Sequence, residues 1–199
     1  RSLIIAHWKV LIQSAAASTV IALSFSHHVE QVNKLLTLGY TEDQCAAFGP
    51  PPERLPGFLS FFDPGWSLVQ LHKHCKQKKW ALYDERYQNC KGLKFTRKQE
   101  EPGYRQIRME AIPGSRGKSF RTQKMLLLDT EEIPSARQVI MGMVIHYRLA
   151  DEWLFPSSYV RCLGDGHAAV CVGWFGSTGL HLNGNLNDAN RYNEVGIAP

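Results

Sequence analysis

No two cysteines in this 199-residue chain stand at Cys-x-x-Cys spacing, and the five present (Cys45, Cys75, Cys90, Cys162 and Cys171) are odd in number and widely spread. That excludes the disulfide framework of a small secreted domain. Cys162 and Cys171 fall on adjacent predicted strands and could bridge, but buried free thiols are the expected state. His72, His74 and Cys75, with Cys90 downstream, can be drawn as a zinc site, yet without paired spacing no metal is expected. Long apolar runs are missing as well. Ala15 to Phe25 is mostly apolar or small, but His7, Lys9 and Gln13 interrupt the run before it, so a helix that is amphipathic or buried is predicted, with no membrane span. There is no Gly-x-Ser-x-Gly elbow, no Gly-x-Gly-x-x-Gly after a strand and no phosphate loop, so neither an enzyme nor a cofactor is expected. Charge of one sign is barely in excess. Lysine and arginine number 23 against 18 acidic residues, a formal +5, which suits solubility better than a polyanionic partner.

What is present fits one substantial core, a single domain over 1–199 whose first part, 1–103, is mainly helical framework. Val29, Val32, Leu35 and Leu36 predict a helix that Gly39 stops. Thr41 starts a short second helix. The proline-rich stretch Gly49 to Gly65 reads as a rigid connector whose Phe58, Leu59, Phe61 and Phe62 pack on the core. Trp66 to Lys79 predicts a helix with Leu68, Val69 and Leu71 inward and its lysines outward. Tyr104 to Ala111 and Phe120 to Leu128 read as two strands around a turn at 113–117. Ser135 to Leu149 is the strongest helix, with Ser135 as its cap and with Gly142 marking a close approach to another backbone. His146 reads as a hydrogen-bonded core histidine. Four short strands follow, at 159–163, 168–175, 180–185 and 195–198.

Asparagine is almost absent until the last of these elements. Asn33 and Asn89 are the only two before residue 183, and then five fall between Asn183 and Asn193. Leu180, Leu182 and Leu186 alternate with His181, Asn183 and Asn185, which puts leucines on one face of a strand and polar side chains on the other. By the same alternation Val170 and Val172 point inward and Cys171 outward, with Trp174 an exposed aromatic at the edge. Asn-Gly at 183–184 is also an ordinary turn dipeptide, and an asparagine-rich segment is commonly a solvated loop.

The run Ala136 to Arg148 (Ala-Arg-Gln-Val-Ile-Met-Gly-Met-Val-Ile-His-Tyr-Arg), with Trp153-Leu-Phe-Pro, Tyr159-Val-Arg-Cys, Val170-Cys-Val-Gly-Trp-Phe, Arg191-Tyr192 and Val195-Gly-Ile-Ala, resembles the variable proteins of diversity-generating retroelements. More narrowly it resembles the branch found in small-genome archaea and candidate-phylum bacteria. The likeness covers roughly residues 104–199; the loop at 164–167 is shorter than in that pattern and Asn190 reads as an insertion. In that family a reverse transcriptase copies a template with errors at adenines, and the copy replaces the 3′ end of the gene. Asparagine codons are adenine-rich, so an asparagine cluster is what such a cassette would leave. The resemblance implies an α+β chain with a C-type lectin-like fold, its lectin-like core at 104–199, a variable segment at 167–194 and an N-terminal helical elaboration. With the alternation, it implies ligand contacts at Cys171, Trp174, His181, Asn183, Asn185, Asn187, Asn190, Tyr192 and Asn193, and makes Arg191 framework. The partner implied is a macromolecule, protein or cell-surface component, and not nucleic acid.

Two rivals come from the residues themselves. A basic nucleic-acid-binding module would use the clusters at 73–79 and 94–98, where Lys94, Arg97 and Lys98 surround Phe95. A metal-dependent hydrolase or transferase would use His72, Cys75 and Cys90. Leu186-Asn187-Asp188 is faintly like a calcium tripeptide of sugar-binding lectins, but the companion Glu-Pro-Asn is absent.

Overall fold

The computed structural model describes residues 28–53, 55–80, 92–164, 169–176, 179–186 and 189–199. The expected opening helix, Cys90 and Asn187 lie outside them. The chain is mixed α+β with two small sheets, and it divides into two compact units, Arg1–Pro52 and Glu53–Pro199. Among the described residues no helix is long and apolar enough to cross a membrane.

In the first unit, helix α1 runs through residues 28–36 and buries Val29, Val32 and Leu36 at one-face spacing. It ends at Thr37, whose φ is +56°, two residues before Gly39. The Asn33 amide then braces the exit, accepting from the Tyr40 N–H at 3.1 Å and donating to the Tyr40 carbonyl at 2.8 Å. Helix α2, Glu42–Ala47, opens on a reciprocal capping box between Thr41 and Gln44.

The second unit begins with a departure from expectation. The stretch read as a connector contains strand β1, Phe58–Asp63, paired antiparallel with β2, Gly103–Arg108. Prolines flank the strand without entering it, so its amides remain available to the ladder. Phe61 and Phe62 are fully buried, as their apolar character demands. Helix α3, Leu68–Gln77, is capped by Ser67 and buries Leu68, Leu71 and Cys75. Val69 is off that i, i+3, i+7 face and is 42% exposed, not inward as expected. A 3-10 turn follows at Lys94–Arg97. Phe120–Lys124, expected as a strand, is a short helix, α4, whose first amides are capped by Ser119 and whose Phe120 and Gln123 turn inward one turn apart.

Helix α5, Ala136–Ala150, is the central element, opened by a capping box between Ser135 and Gln138 and closed at Asp151, whose φ is +57°. It packs on β1 and on the larger sheet. The close approach at Gly142 is to side chains and not to a backbone. A Cβ there would lie 2.8 Å from Phe61 Cε1 and 2.9 Å from Ile107 Cδ1. Beside it Arg137 and Asp63 form a fully buried pair that no sequence pattern announced. Arg137 Nη1 donates to Asp63 Oδ1 at 2.9 Å and Nη2 donates to Asp63 Oδ2 and to Glu100 Oε2, each at 2.6 Å. The Gly65 N–H satisfies Asp63 further, and a Cβ on Gly65 would stand 2.1 Å from the Glu100 carbonyl oxygen. This cluster ties β1, the 65–67 turn, the 98–102 segment and α5 together.

The larger sheet has the order β5-β4-β3-β6, from Tyr159–Leu163 (β3), Ala169–Gly176 (β4), Gly179–Leu186 (β5) and Val195–Ile197 (β6). β3, β4 and β5 form an antiparallel meander, while β6 returns parallel to β3. Gln123 Nε2 donates to the Val195 carbonyl at 2.9 Å, and the Ile112 N–H donates to the Ile197 carbonyl at 2.8 Å. Those bonds seal the outer edge of β6.

Candidate ligand-binding face

The register of the meander decides which side chains share a face. Tyr159 pairs with Gly173, Arg161 with Cys171, Cys171 with Asn183 and Gly173 with His181. Directly opposed residues project the same way. One face therefore carries Tyr159, Arg161, Cys171, His181 and Asn183, and the other carries Val160, Cys162, Val170, Val172, Leu180 and Leu182, all fully buried or nearly so. Cys162 and Cys171 point to opposite faces and both are free thiols.

Trp174 joins the first face through an irregularity. The pairing of β4 and β5 shifts between Gly173 and Gly176, and Trp174 takes a φ of +50°. A left-handed tryptophan costs on the order of 1–3 kcal/mol and must be held by its surroundings. The holding is visible. The Trp174 N–H donates to the Ser158 carbonyl at 3.0 Å, and Gly173 sits so close that a Cβ there would be 2.0 Å from the same oxygen. The indole stacks beside Tyr159 at 6.0 Å between ring centroids and beside His181 at 6.1 Å, with interplanar angles of 23° and 21°. Tyr159 Oη and His181 Nδ1 are 3.0 Å apart and share a hydrogen bond. The result is a three-ring cluster with Trp174 at 42% exposure.

Cys171 corrects the expectation. It shares the face of Asn183 and is nevertheless 3% exposed, packed with Phe120, Val195 and Ile197, against which Tyr159 and Tyr192 also lie. Alternation placed Cys171 on the face of Asn183 but could not show that Phe120 of α4 packs against that face, so that β4 is buried on both sides at Cys171. Cys171 is core and cannot touch a ligand.

Arg161, on the same face, is fully buried. Its guanidinium lies 5.6 Å from the rings of both Phe120 and Tyr192, and its Nη2 donates to the Asn190 carbonyl at 2.7 Å. It fixes the segment that carries the last expected contacts. Asn190 Nδ2 donates to Tyr192 Oη at 3.0 Å, and the Tyr192 carbonyl accepts from the N–H groups of Gly117 and Val195. Asn183, Asn190 and Asn193 are exposed, while His181 and Tyr192 are half-buried. Arg191, expected as framework, is exposed, while Arg161 on the neighbouring strand face is buried. The Asn185 side chain and the whole of Asn187 lie outside the described residues. Sequence reasoning missed Tyr159 and Arg161 as site-forming residues. The signal available was that Tyr159 and Arg161 alternate with Val160 and Cys162 on a strand next to the display strand.

The rival sites have less to work with. Phe95 is buried, so the lysines and arginine around it have no ring to offer a base. Burial pushes the Cys75 thiol up to about 12 despite nearby Arg148, leaving it protonated and a poor nucleophile or ligand. Among the described residues no three His, Cys, Asp or Glu side chains are grouped to hold a metal ion. Two clefts, of about 500 Å³ beside Phe58, Arg108 and Glu131 and about 450 Å³ beside His146, Glu152 and Trp153, include none of the expected contact residues.

No protein-family model, curated relative or solved structure matches the chain.

Proposed function

We propose that the chain is a ligand-display protein, the variable protein of a diversity-generating retroelement with a C-type lectin-like fold, whose displayed side chains are exchanged by adenine-directed copying. The observation that carries this reading is a division of labour on one sheet face. Phe120, Arg161, Cys171 and Ile197 form a buried layer, while Trp174, His181, Asn183, Asn190 and Asn193 stand at or near the surface beyond it. Asn183, Asn190 and Asn193 are exposed, and exchanges at exposed positions cost a scaffold little, whereas Trp174 and His181 are held by Tyr159. Rigid rings supply contact area at low entropic cost and amides adapt their hydrogen bonds, which suits recognition of varied macromolecular partners. Catalysis has no part in this reading, and affinity comes from a preorganised surface.

The test is to replace Asn183, Asn190 and Asn193 together with serine, tyrosine and aspartate in several combinations. Each combination is expected to keep the unfolding free energy within about 1 kcal/mol of the parent, since isolated surface changes cost roughly 0.5 kcal/mol or less. Combinations that unfold the protein would remove the proposal, as would a gene whose 3′ end has no near-repeat and no neighbouring reverse transcriptase. The second reading, a nucleic-acid module, has exposed Lys73, Lys76, Lys78 and Lys79 in its favour. It requires DNA or RNA affinity that falls steeply with salt.

A further inference from the structure

Strand β2 has β1 on one side and, among the described residues, no strand of its sheet on the other. Register fixes which backbone groups point to that other side. The Met109 N–H donates to the Gly57 carbonyl at 2.9 Å, so Ile107, Arg105 and Gly103, at two-residue steps from it, turn their backbone groups toward β1. The residues between them turn theirs away. Arg108 shows the consequence, since its N–H donates outward to the Pro199 carbonyl at 2.7 Å. Together with the bond from the Ile112 N–H to the Ile197 carbonyl, this lays residues 197–199 antiparallel along the edge as far as Arg108. Gln106, two residues and about 7 Å further along β2, presents the next N–H and carbonyl on that side. A cleft of about 500 Å³ is lined there by four consecutive residues of β2, 105–108, together with Leu128, Ile133 and Pro134. Its second wall is pinned to the strand: Arg108 Nε donates to Glu131 Oε1 and the Leu128 N–H to Glu131 Oε2, each at 3.0 Å. Leu128 is nevertheless 63% exposed.

We infer that this cleft receives an extended peptide of a partner protein, which adds to β2 as an antiparallel strand beyond Pro199, bonds to the backbone of Gln106 and covers Leu128 with an apolar side chain. A strand edge that presents an N–H and a carbonyl is the complement of another extended backbone, and residues 197–199 already pair with this same edge. The arginines of the wall are engaged, Arg108 by Glu131 and Arg105 by the Tyr104 and Glu101 carbonyls. Recognition therefore falls to backbone and apolar groups. The pinned wall holds the cleft in shape before anything enters, which lowers the entropic cost of binding. This cleft and the display face have no residue in common, so either assignment can fail without the other.

The experiment uses the full chain and blocked pentapeptides in which threonine alternates with valine, leucine or phenylalanine. They are added to about 10 mM, enough to approach saturation at a millimolar dissociation constant. Amide exchange read by NMR is expected to be faster at Gln106 than at Ile107 in the protein alone, and to slow at Gln106 when a peptide binds. N-methylation of alternate peptide residues is expected to remove binding in at least one of the two parities, because only alternate amides of the incoming strand face β2. Leu128→Ser should weaken binding about tenfold, the worth of covering a leucine side chain. Gln106→Pro takes away the edge N–H while leaving the backbone ladder to β1 in place, and should weaken binding about fivefold. The inference is overturned if the Gln106 amide is already as protected as that of Ile107 in the protein alone, if none of the peptides slows it, or if both N-methylated series bind as well as their parents. Protection of Gln106 that vanishes on dilution would assign the edge to a second copy of this chain and overturn it equally.

Discussion

Gly142 is the residue at which two opposing effects can be weighed. Alanine in a helix interior gains about 1 kcal/mol over glycine, but overpacking a filled core costs about 1–3 kcal/mol. The ring of Phe61 and the branch of Ile107 are both below 3.0 Å from the added carbon, and both are buried, so neither can swing away. Gly142→Ala is therefore expected to lower the thermal midpoint by a few degrees, about 2–4 °C for a loss near 1 kcal/mol. The Arg137–Asp63 pair makes a second test. Removing Asp63 leaves the buried Arg137 with Glu100 as its one remaining carboxylate, so Asp63→Ala should cost about 3 kcal/mol in urea unfolding. An apolar replacement of both, Asp63→Leu with Arg137→Met, should recover much of that loss. Acid adds a third. Burial alone would raise the Glu100 carboxyl, but hydrogen bonds and charge from Arg137 outweigh it and hold it below its ordinary 4.5. Glu131 is likewise raised by burial and lowered further by the Leu128 N–H and by Arg108. The folded state thus binds fewer protons than the unfolded chain between the folded and ordinary values. Their stabilisation is complete above about pH 4.5 and is lost as pH falls through the folded values, which a series of urea midpoints from pH 7 to pH 3 will show.

Among the elements, those with unmixed periodicity were legible from residues alone. The predicted helix at 135–149 and the strands at 159–163, 168–175, 180–185 and 195–198 sit within a residue or two of α5 and β3 to β6. Phe120–Lys124 was misread because five residues with one aromatic fit either period, and the Ser119 cap was the available sign of a helix. β1 was hidden by its flanking prolines. Asp63 and Arg137 were illegible because their meeting depends on tertiary placement across 74 residues. At the site, alternation identified the face of Cys171 and Asn183, while burial of Cys171 depends on α4, an element not recognised as such. Arg161 belongs to this scale, because its task is to hold the segment 189–193 against the sheet. Arg161→Met should leave the Asn190 carbonyl without that donor and cost about 1–3 kcal/mol. Hydrogen exchange at the Gly117 and Val195 amides, both bonded to the Tyr192 carbonyl, should quicken in that variant and stay unchanged in Asn183→Ser.

For the second unit taken whole, the order of elements along the chain matters as much as their contacts. The residues proposed for display, Trp174 to Asn193, are translated before β6, and β6 supplies Val195 and Ile197 to the layer that covers Cys171 and Phe120. Gly196 admits no larger residue, since a Cβ there would stand 2.5 Å from Ala111 Cβ, and the Ile197 N–H donates to the Ser115 hydroxyl oxygen. A polypeptide cut short or shifted in frame anywhere upstream of Val195 lacks these residues and leaves Phe120 and Cys171 without that part of their packing. The closing strand thus acts as a checksum on the second unit, whose interior is complete only when the message has been read correctly through β6.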